Sequence, residues 1–218
     1  MAKGDAKLTM TGPGKGLTPM MEQYNELKTR HPDALLMVRL GDFYELFNED
    51  AMTASKELGL YLTGREIGSG NRMPMCGVPH HAIDEYLPQL VKKGYKVAIA
   101  EQLEDPKLVK GLVKRDIIRV VSPGVLEGED GGNNFMAAVH IHDGAIGIAY
   151  CDASTGEFRA TQLDGKDATI RAIQELERLS PSEVIRAAGS PLPNGLEELL
   201  ASGPRIASVT ERPAHEFD

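Results

Sequence analysis

Three sets of residues in this chain have types and spacings that could do chemistry. Phe43 and Glu45 lie two apart in Gly41-Asp42-Phe43-Tyr44-Glu45-Leu46-Phe47, directly behind a glycine turn. Successive side chains of a strand point to opposite faces, so Phe43, Glu45 and Phe47 share one face while Tyr44 and Leu46 share the other. A ring and a carboxylate side by side at a strand start can meet one ligand together, although a core phenylalanine beside a solvated glutamate is the commoner arrangement of those types. His140 and His142, at i,i+2 spacing, could chelate a metal from one strand face, but no third ligand is apparent and no metal site is assigned. Asp152, Glu157 and Asp164 raise a nuclease alternative, because two-metal hydrolysis needs clustered carboxylates. Asp152 and Glu157 flank a turn, however, and suit plain solvation as well, so no catalytic residue is assigned. His80 and His81 are adjacent, point in different directions and fit the entry to a helix.

Around these groups the chain alternates helices with strands. Thr18 followed by Pro19 predicts a helix start, with Met20, Tyr24 and Leu27 at helical spacing until His31-Pro32. The apolar run Leu35-Leu36-Met37-Val38 predicts a strand, Gly41-Asp42 a two-residue hairpin turn with glycine at positive φ, and Phe43 to Phe47 the returning strand. Asn48-Glu49-Asp50 predicts the acidic start of a helix with Ala51, Met52, Ser55 and Leu58 on its apolar face and Gly59 as terminator. A short strand is expected from Leu60 to Thr63, then a loop from Gly64 to Arg72 whose glycines do not have nucleotide-binding spacing. Met73 to Val78 reads as extended and buried. A helix follows, carrying Ile83, Tyr86, Leu87, Leu90 and Val91 and ending at Gly94, where Pro88 predicts a kink or a late start. Lys96 to Leu103 and Asp116 to Val121 read as strands joined by a loop from Asp105 to Lys114. Strands interleaved with helices predict a mixed sheet covered on its faces, an α/β arrangement.

Ser122-Pro123-Gly124 breaks that pattern, and Glu127 to Asn134 is acidic and glycine-rich. The expected division is a flexible arm over residues 1–17, a domain over 18–124, a linker over 125–134 and a second domain over 135–218. The second domain opens with strands Phe135 to His142, Ala145 to Asp152 and Glu157 to Leu163, joined by Asp143-Gly144 and Ser154-Thr155-Gly156 turns. A helix from about Asp167 to Leu179 should present Ile170, Ile173, Leu176 and Leu179. A strand from Ser182 to Ala187, a helix from Leu196 to Ala201 and a strand from Ile206 to Val209 complete it.

The net charge of -8 divides unevenly: residues 1–123 hold 17 Lys+Arg against 16 Asp+Glu, and residues 124–218 hold 7 against 16. A phosphate-facing surface therefore belongs to the first part, where Lys92 to Arg119 holds 8 basic and 4 acidic residues; a solvated face has the same composition. Cys76 and Cys151 are too few for a disulfide framework, which fits a reducing compartment, with cytoplasm the default. No apolar run approaches the length that crosses a bilayer, so no membrane role is expected. No Gly-x-x-x-x-Gly-Lys-[Ser/Thr] occurs, and with it any nucleotide-hydrolysis site is unsupported.

Four blocks change the weight of the Phe43/Glu45 pair. Thr18-Pro19-Met20-Met21-Glu22-Gln23-Tyr24, Arg39 to Phe47, Pro74-Met75-Cys76-Gly77-Val78-Pro79 and Val97-Ala98-Ile99-Ala100-Glu101-Gln102 resemble, in order and spacing, the amino-terminal part of the MutS family of DNA mismatch repair proteins. The likeness runs from about Thr18 to Gly124 and thins towards Asp218. It implies a mixed-sheet mismatch-recognition domain followed by part of a ribonuclease-H-like connector domain that stops short at Asp218. The family's Phe-x-Glu mismatch reader maps onto Phe43 and Glu45, and Arg65 becomes a candidate contact to the DNA backbone. Lys107, Lys110 and Lys114, with Arg115 at the strand start, are expected to form a phosphate-contacting rim. The implied ligand is duplex DNA carrying mismatches or small insertion/deletion loops, and a MutL-like repair partner is expected on the connector. That second expectation also leaves a protein-interaction module as an alternative function. ATP and magnesium belong to the family's ATPase domain, and homodimerisation to the full-length protein, so no cofactor and no ATPase activity are expected here.

Overall fold

The computed structural model describes residues 18–68, 71–126, 132–203 and 206–217. The arm expected over 1–17 and most of the glycine-rich linker lie outside them. Two units emerge, one holding the chain up to Val91 with Tyr95 to Val121, the other Lys92 to Gly94 with Ser122 onwards.

In the first unit, α1 (Pro19–Arg30) starts where proline can occupy the first turn without losing a needed donor, and stops at His31. It buries Tyr24 and Leu27 as expected, with Met21 in place of the expected Met20, which is only partly covered. β1 (Ala34–Leu40) and β2 (Phe43–Phe47) form the hairpin, and α2 (Asn48–Leu58) follows. This helix buries Ala51 and Ala54 but leaves Met52 49% exposed, so the expected apolar face holds only in part.

The expected strand from Leu60 does not form, and the glycine-rich loop is a hairpin instead: β3 (Thr63–Gly68) pairs antiparallel with β4 (Asn71–Pro79). Turn composition hid the pairing because Thr63, Arg65 and Met73 hold a ladder at the sheet edge, where strand length depends on the neighbour more than on propensity. A 3-10 turn, His80–Ala82, leads into α3 (Ile83–Lys92). Pro88 stands inside it as the sixth of its ten residues, past the first turn, so the helix does not start late at the proline and the Asp84 carbonyl goes without the N–H that a residue other than proline would offer. β5 (Lys96–Gln102) and β6 (Arg115–Val121) finish a six-stranded sheet ordered β3-β4-β2-β1-β5-β6. Only the β1–β5 pairing is parallel, so the sheet is mixed.

Because β1 is central it is buried on both faces from Ala34 to Val38. On one face Ala34, Leu36, Val38, Phe47, Ala98 and Ala100 meet Met21, Tyr24 and Leu27 of α1. The Tyr24 and Phe47 rings pack edge to face at 5.0 Å. Asp50, read from the sequence as a first-turn charge, is 7% exposed and accepts from Lys28 Nζ at 2.9 Å, the Leu36 N–H at 2.9 Å and the Tyr24 hydroxyl at 3.3 Å. It therefore ties three elements together. On the other face the Cys76 thiol donates to the Ala51 carbonyl, and burial pushes that thiol up to about 12, out of reach of reaction.

The second unit is a meander of β7 (Phe135–His142), β8 (Ala145–Asp152) and β9 (Glu157–Leu163), then α4 (Ala168–Leu179), β10 (Glu183–Ala187), α5 (Asn194–Ser202) and β11 (Ser208–Arg212). Its sheet is ordered β11-β10-β7-β8-β9, with β10 parallel to both β7 and β11. Ala137, Val139, Ile146, Ile148 and Tyr150 pack under α4 and α5. The buried stripe of α4 is Ala168, Ala172, Leu176 and Leu179; Ile170 is 57% exposed, contrary to expectation. Asn134, at the end of the expected linker, donates from its amide to the carbonyls of Pro123 and Leu126. Among the described residues no helix is long and apolar enough to cross a membrane.

Candidate nucleic-acid interface

The β1–β2 turn is held from both flanks. Gly41 has φ +60, open to glycine without strain, and its carbonyl accepts from the Arg39 Nε–H. From the neighbouring end of β4, the His80 N–H donates to the Asp42 carbonyl at 2.8 Å. Arg115 Nε donates to the Arg39 carbonyl at 2.7 Å, and its Nη1 to the Val113 carbonyl and Gln23 Oε1. On the opposite face the Tyr44 hydroxyl donates to Glu101, whose carboxylate lies 3.6 Å from Arg39 Nη1, and the Arg39 guanidinium sits over the Tyr44 ring. Burial, then Glu101, pushes the Tyr44 phenol up to about 12, so it stays a hydrogen donor across the biological range.

On that frame Phe43 opens β2 and is 47% exposed, with Leu40 and Pro79 as its cross-strand neighbours. Glu45 follows on the same face, between Val38 and Gly77. A Cβ on Gly77 would come within 3.0 Å of the Tyr44 carbonyl oxygen and 3.4 Å of Glu45 Cγ, so glycine there gives the carboxylate its room. Arg65 Nη1 donates to Glu45 Oε2 at 2.8 Å, and the same guanidinium lies over the Phe47 ring. Burial raises the Glu45 pKa above the ordinary glutamate range, opposed by Arg65 and, more weakly, by Arg115. The arrangement offers an exposed ring beside a half-buried acid whose neutral form is unusually accessible.

The other sequence candidates are distributed differently. Arg65 joins Glu45 directly, with its side chain 41% exposed. Lys107, Lys110 and Lys114 are exposed in the β5–β6 loop, which is closed by the Leu103 N–H donating to the Lys114 carbonyl. Arg115 is a correction: it is 8% exposed, and its donors face carbonyls inside the fold, so it braces the hairpin from beneath and is not on a solvent-facing rim. Sequence reasoning missed Arg39, Tyr44, Gly77 and Glu101 as parts of the site. All four fall within the quoted blocks, but Glu101 comes alongside only because β5 pairs parallel with β1.

The carboxylates behind the nuclease alternative are otherwise engaged. Asp152 is 1% exposed and accepts from the Asn134, Ser154 and Thr155 N–H groups and the Ser154 hydroxyl, which hold its pKa low. Glu157 pairs with Arg159, and Asp164 accepts from Gln162. His140 and His142 are stacked at 6.3 Å beside an open hollow lined also by Asp143, Gln162 and Asp164. Among the described residues, no group of three or more His, Cys, Asp or Glu is placed to hold a metal ion.

Residues 18–130 match the family model for MutS domain I, and residues 134–218 that for MutS domain II. DNA mismatch repair proteins MutS from Syntrophomonas wolfei, Desulfitobacterium hafniense and Symbiobacterium thermophilum are 49%, 53% and 48% identical over 83%, 78% and 85% of this chain. Those stretches are 22%, 20% and 22% of the relatives, so the chain spans about a fifth of the length of the curated proteins it matches. With both of its sheet-bearing units matched in order, the chain belongs to the MutS family, whose first and second domains it contains.

Proposed function

We propose that this chain recognises mismatched or unpaired bases in duplex DNA, with Phe43 as the wedge and Glu45 as the base-contacting acid. The observation that carries the reading is the exposed Phe43 ring at the head of a braced hairpin, with Glu45 beside it on the same face. A ring inserted at a base step must open the stack, at a cost on the order of a few kcal/mol that contacts to the kinked duplex offset. A mispair has already lost part of its stacking and pairing energy, so it opens more cheaply, and deformability becomes the property being read.

Glu45 adds a penalty on sound DNA. Near phosphates its acid form is favoured, as burial already favours it, and the protonated carboxyl can donate to a ring nitrogen of a displaced base. A well-stacked pair keeps its ring nitrogens within the stack and turns none towards the carboxyl, and the charge then repels the duplex. Lys107, Lys110 and Lys114 supply the phosphate contacts. In the full-length protein the second domain meets a MutL-like partner, and ATP hydrolysis and dimerisation reside in other domains.

Competition binding of the chain to a duplex with one unpaired thymidine and to its fully paired counterpart tests this. The unpaired-base duplex is expected to bind more tightly; Phe43→Ala should bring the ratio of affinities close to one. Glu45→Ala should tighten binding to the paired duplex and so lower the ratio. Equal ratios for wild type and both variants would refute the assignment.

A further inference from the structure

The Glu45–Arg65 pair joins the base-facing strand to the edge hairpin β3–β4, and its partners are unequally exposed. The Glu45 side chain is 20% exposed and the Arg65 side chain 41%, so Arg65 reaches solvent while holding Glu45 at 2.8 Å. Its guanidinium lies over the Phe47 ring, whose centre is 5.8 Å from the guanidinium carbon. Around the carboxylate the charged groups are Arg65 from β3 and Arg115 from β6. β1 and β4 present only Val38 and Gly77 opposite it. Arg115 is already committed to the carbonyls of Arg39 and Val113 and is buried. Arg65 is therefore the one of the two that a docking phosphate can reach.

We propose that Arg65 is the specificity-determining counter-ion of Glu45: it neutralises the carboxylate in DNA-free protein and passes its guanidinium to a backbone phosphate when the duplex docks, releasing Glu45 to the base. This deepens the reading of Phe43 and Glu45 given above and rests on it. A guanidinium binds phosphate and carboxylate through the same charge-assisted geometry, so the exchange is nearly balanced. Once Arg65 leaves, the half-buried carboxylate has lost its nearest counter-charge beside a polyanion, and it takes a proton from solvent. Over an unpaired base that proton is donated to a ring nitrogen. Over a sound pair no ring nitrogen is turned towards it, so phosphate contact and base inspection are coupled through one side chain.

The test uses the whole 218-residue chain, the unpaired-thymidine duplex and its paired counterpart, with affinity followed by fluorescence anisotropy across salt and pH. For Arg65→Gln, the slope of log affinity against log salt is expected to fall by about one, the contribution of one phosphate contact. Arg65→Lys, which keeps the charge, should retain it. Wild-type affinity for the unpaired-base duplex should decline once pH rises past the Glu45 pKa of the free protein. Arg65→Gln raises that pKa, so its decline begins at higher pH, and in Glu45→Gln the decline vanishes. An unchanged slope in Arg65→Gln would mean that Arg65 stays on Glu45 in the complex, overturning this inference while leaving an intact wild-type mismatch preference standing. Absence of any wild-type preference would overturn both. A measurement that needs no Arg65 variant is the carbon-13 shift of the Glu45 carboxyl in the wild-type complex at pH 7. A carboxylic-acid shift is expected, and a carboxylate shift would overturn the exchange.

Discussion

Phe43 and Glu45 could be paired from the sequence because strand alternation needs only local chain direction. The groups that give them their properties could not. Arg65 reaches Glu45 through a strand with the composition of a loop, and Glu101 reaches Tyr44 across a parallel pairing set more than fifty residues away. Asp50 shows the same limit: at a helix start an aspartate reads as a solvated charge, yet here three donors converge on it beneath the surface. Its removal leaves the Leu36 N–H without its acceptor, while the Tyr24 hydroxyl and the Lys28 ammonium keep the carbonyls of Phe47 and Ala34. Asp50→Ala is expected to lower stability by about 2 kcal/mol, chiefly through the buried Leu36 N–H left unsatisfied. Chemical denaturation measures this, and a loss below about 1 kcal/mol would show that water replaces the carboxylate.

Elements bounded by strong turn chemistry were legible to within a residue or two. Asp143-Gly144, with both φ values positive, fixes the β7–β8 hairpin, and Thr18-Pro19 fixes the start of α1. Elements whose identity depends on a neighbour were not, and β3 is the clear case. Which residues of a helix are buried was also unsafe, since Met52 and Ile170 satisfy helical spacing but lie at the margin of their contact faces. The loop between β5 and β6 divides by role along its length. Lys110 and Lys114 are exposed, whereas Arg115, one residue further, braces the hairpin. Double substitution of Lys110 and Lys114 by alanine is expected to leave the melting temperature unchanged and to reduce the salt slope of DNA binding by about two. Arg115→Ala should instead lower stability by about 2 kcal/mol through the carbonyls it leaves without a donor. Equal effects of the two variants on stability and salt slope would contradict this division.

At the scale of the whole chain, charge and family placement agree. The first part is close to neutral and carries the exposed lysines, while the acidic second part is the unit matched to MutS domain II. An acidic surface is poorly suited to DNA and suits a partner protein better. The proposed wedge is the exposed ring of Phe43 in the first unit, supported by contacts within that unit. Its action is read most directly by 2-aminopurine placed beside the unpaired thymidine, because the fluorescence of this base rises when it unstacks. Binding of the wild-type chain is predicted to raise that emission, and Phe43→Ala at saturating concentration to leave it at the level of free duplex. No rise with wild type, or an equal rise with Phe43→Ala, would contradict the account.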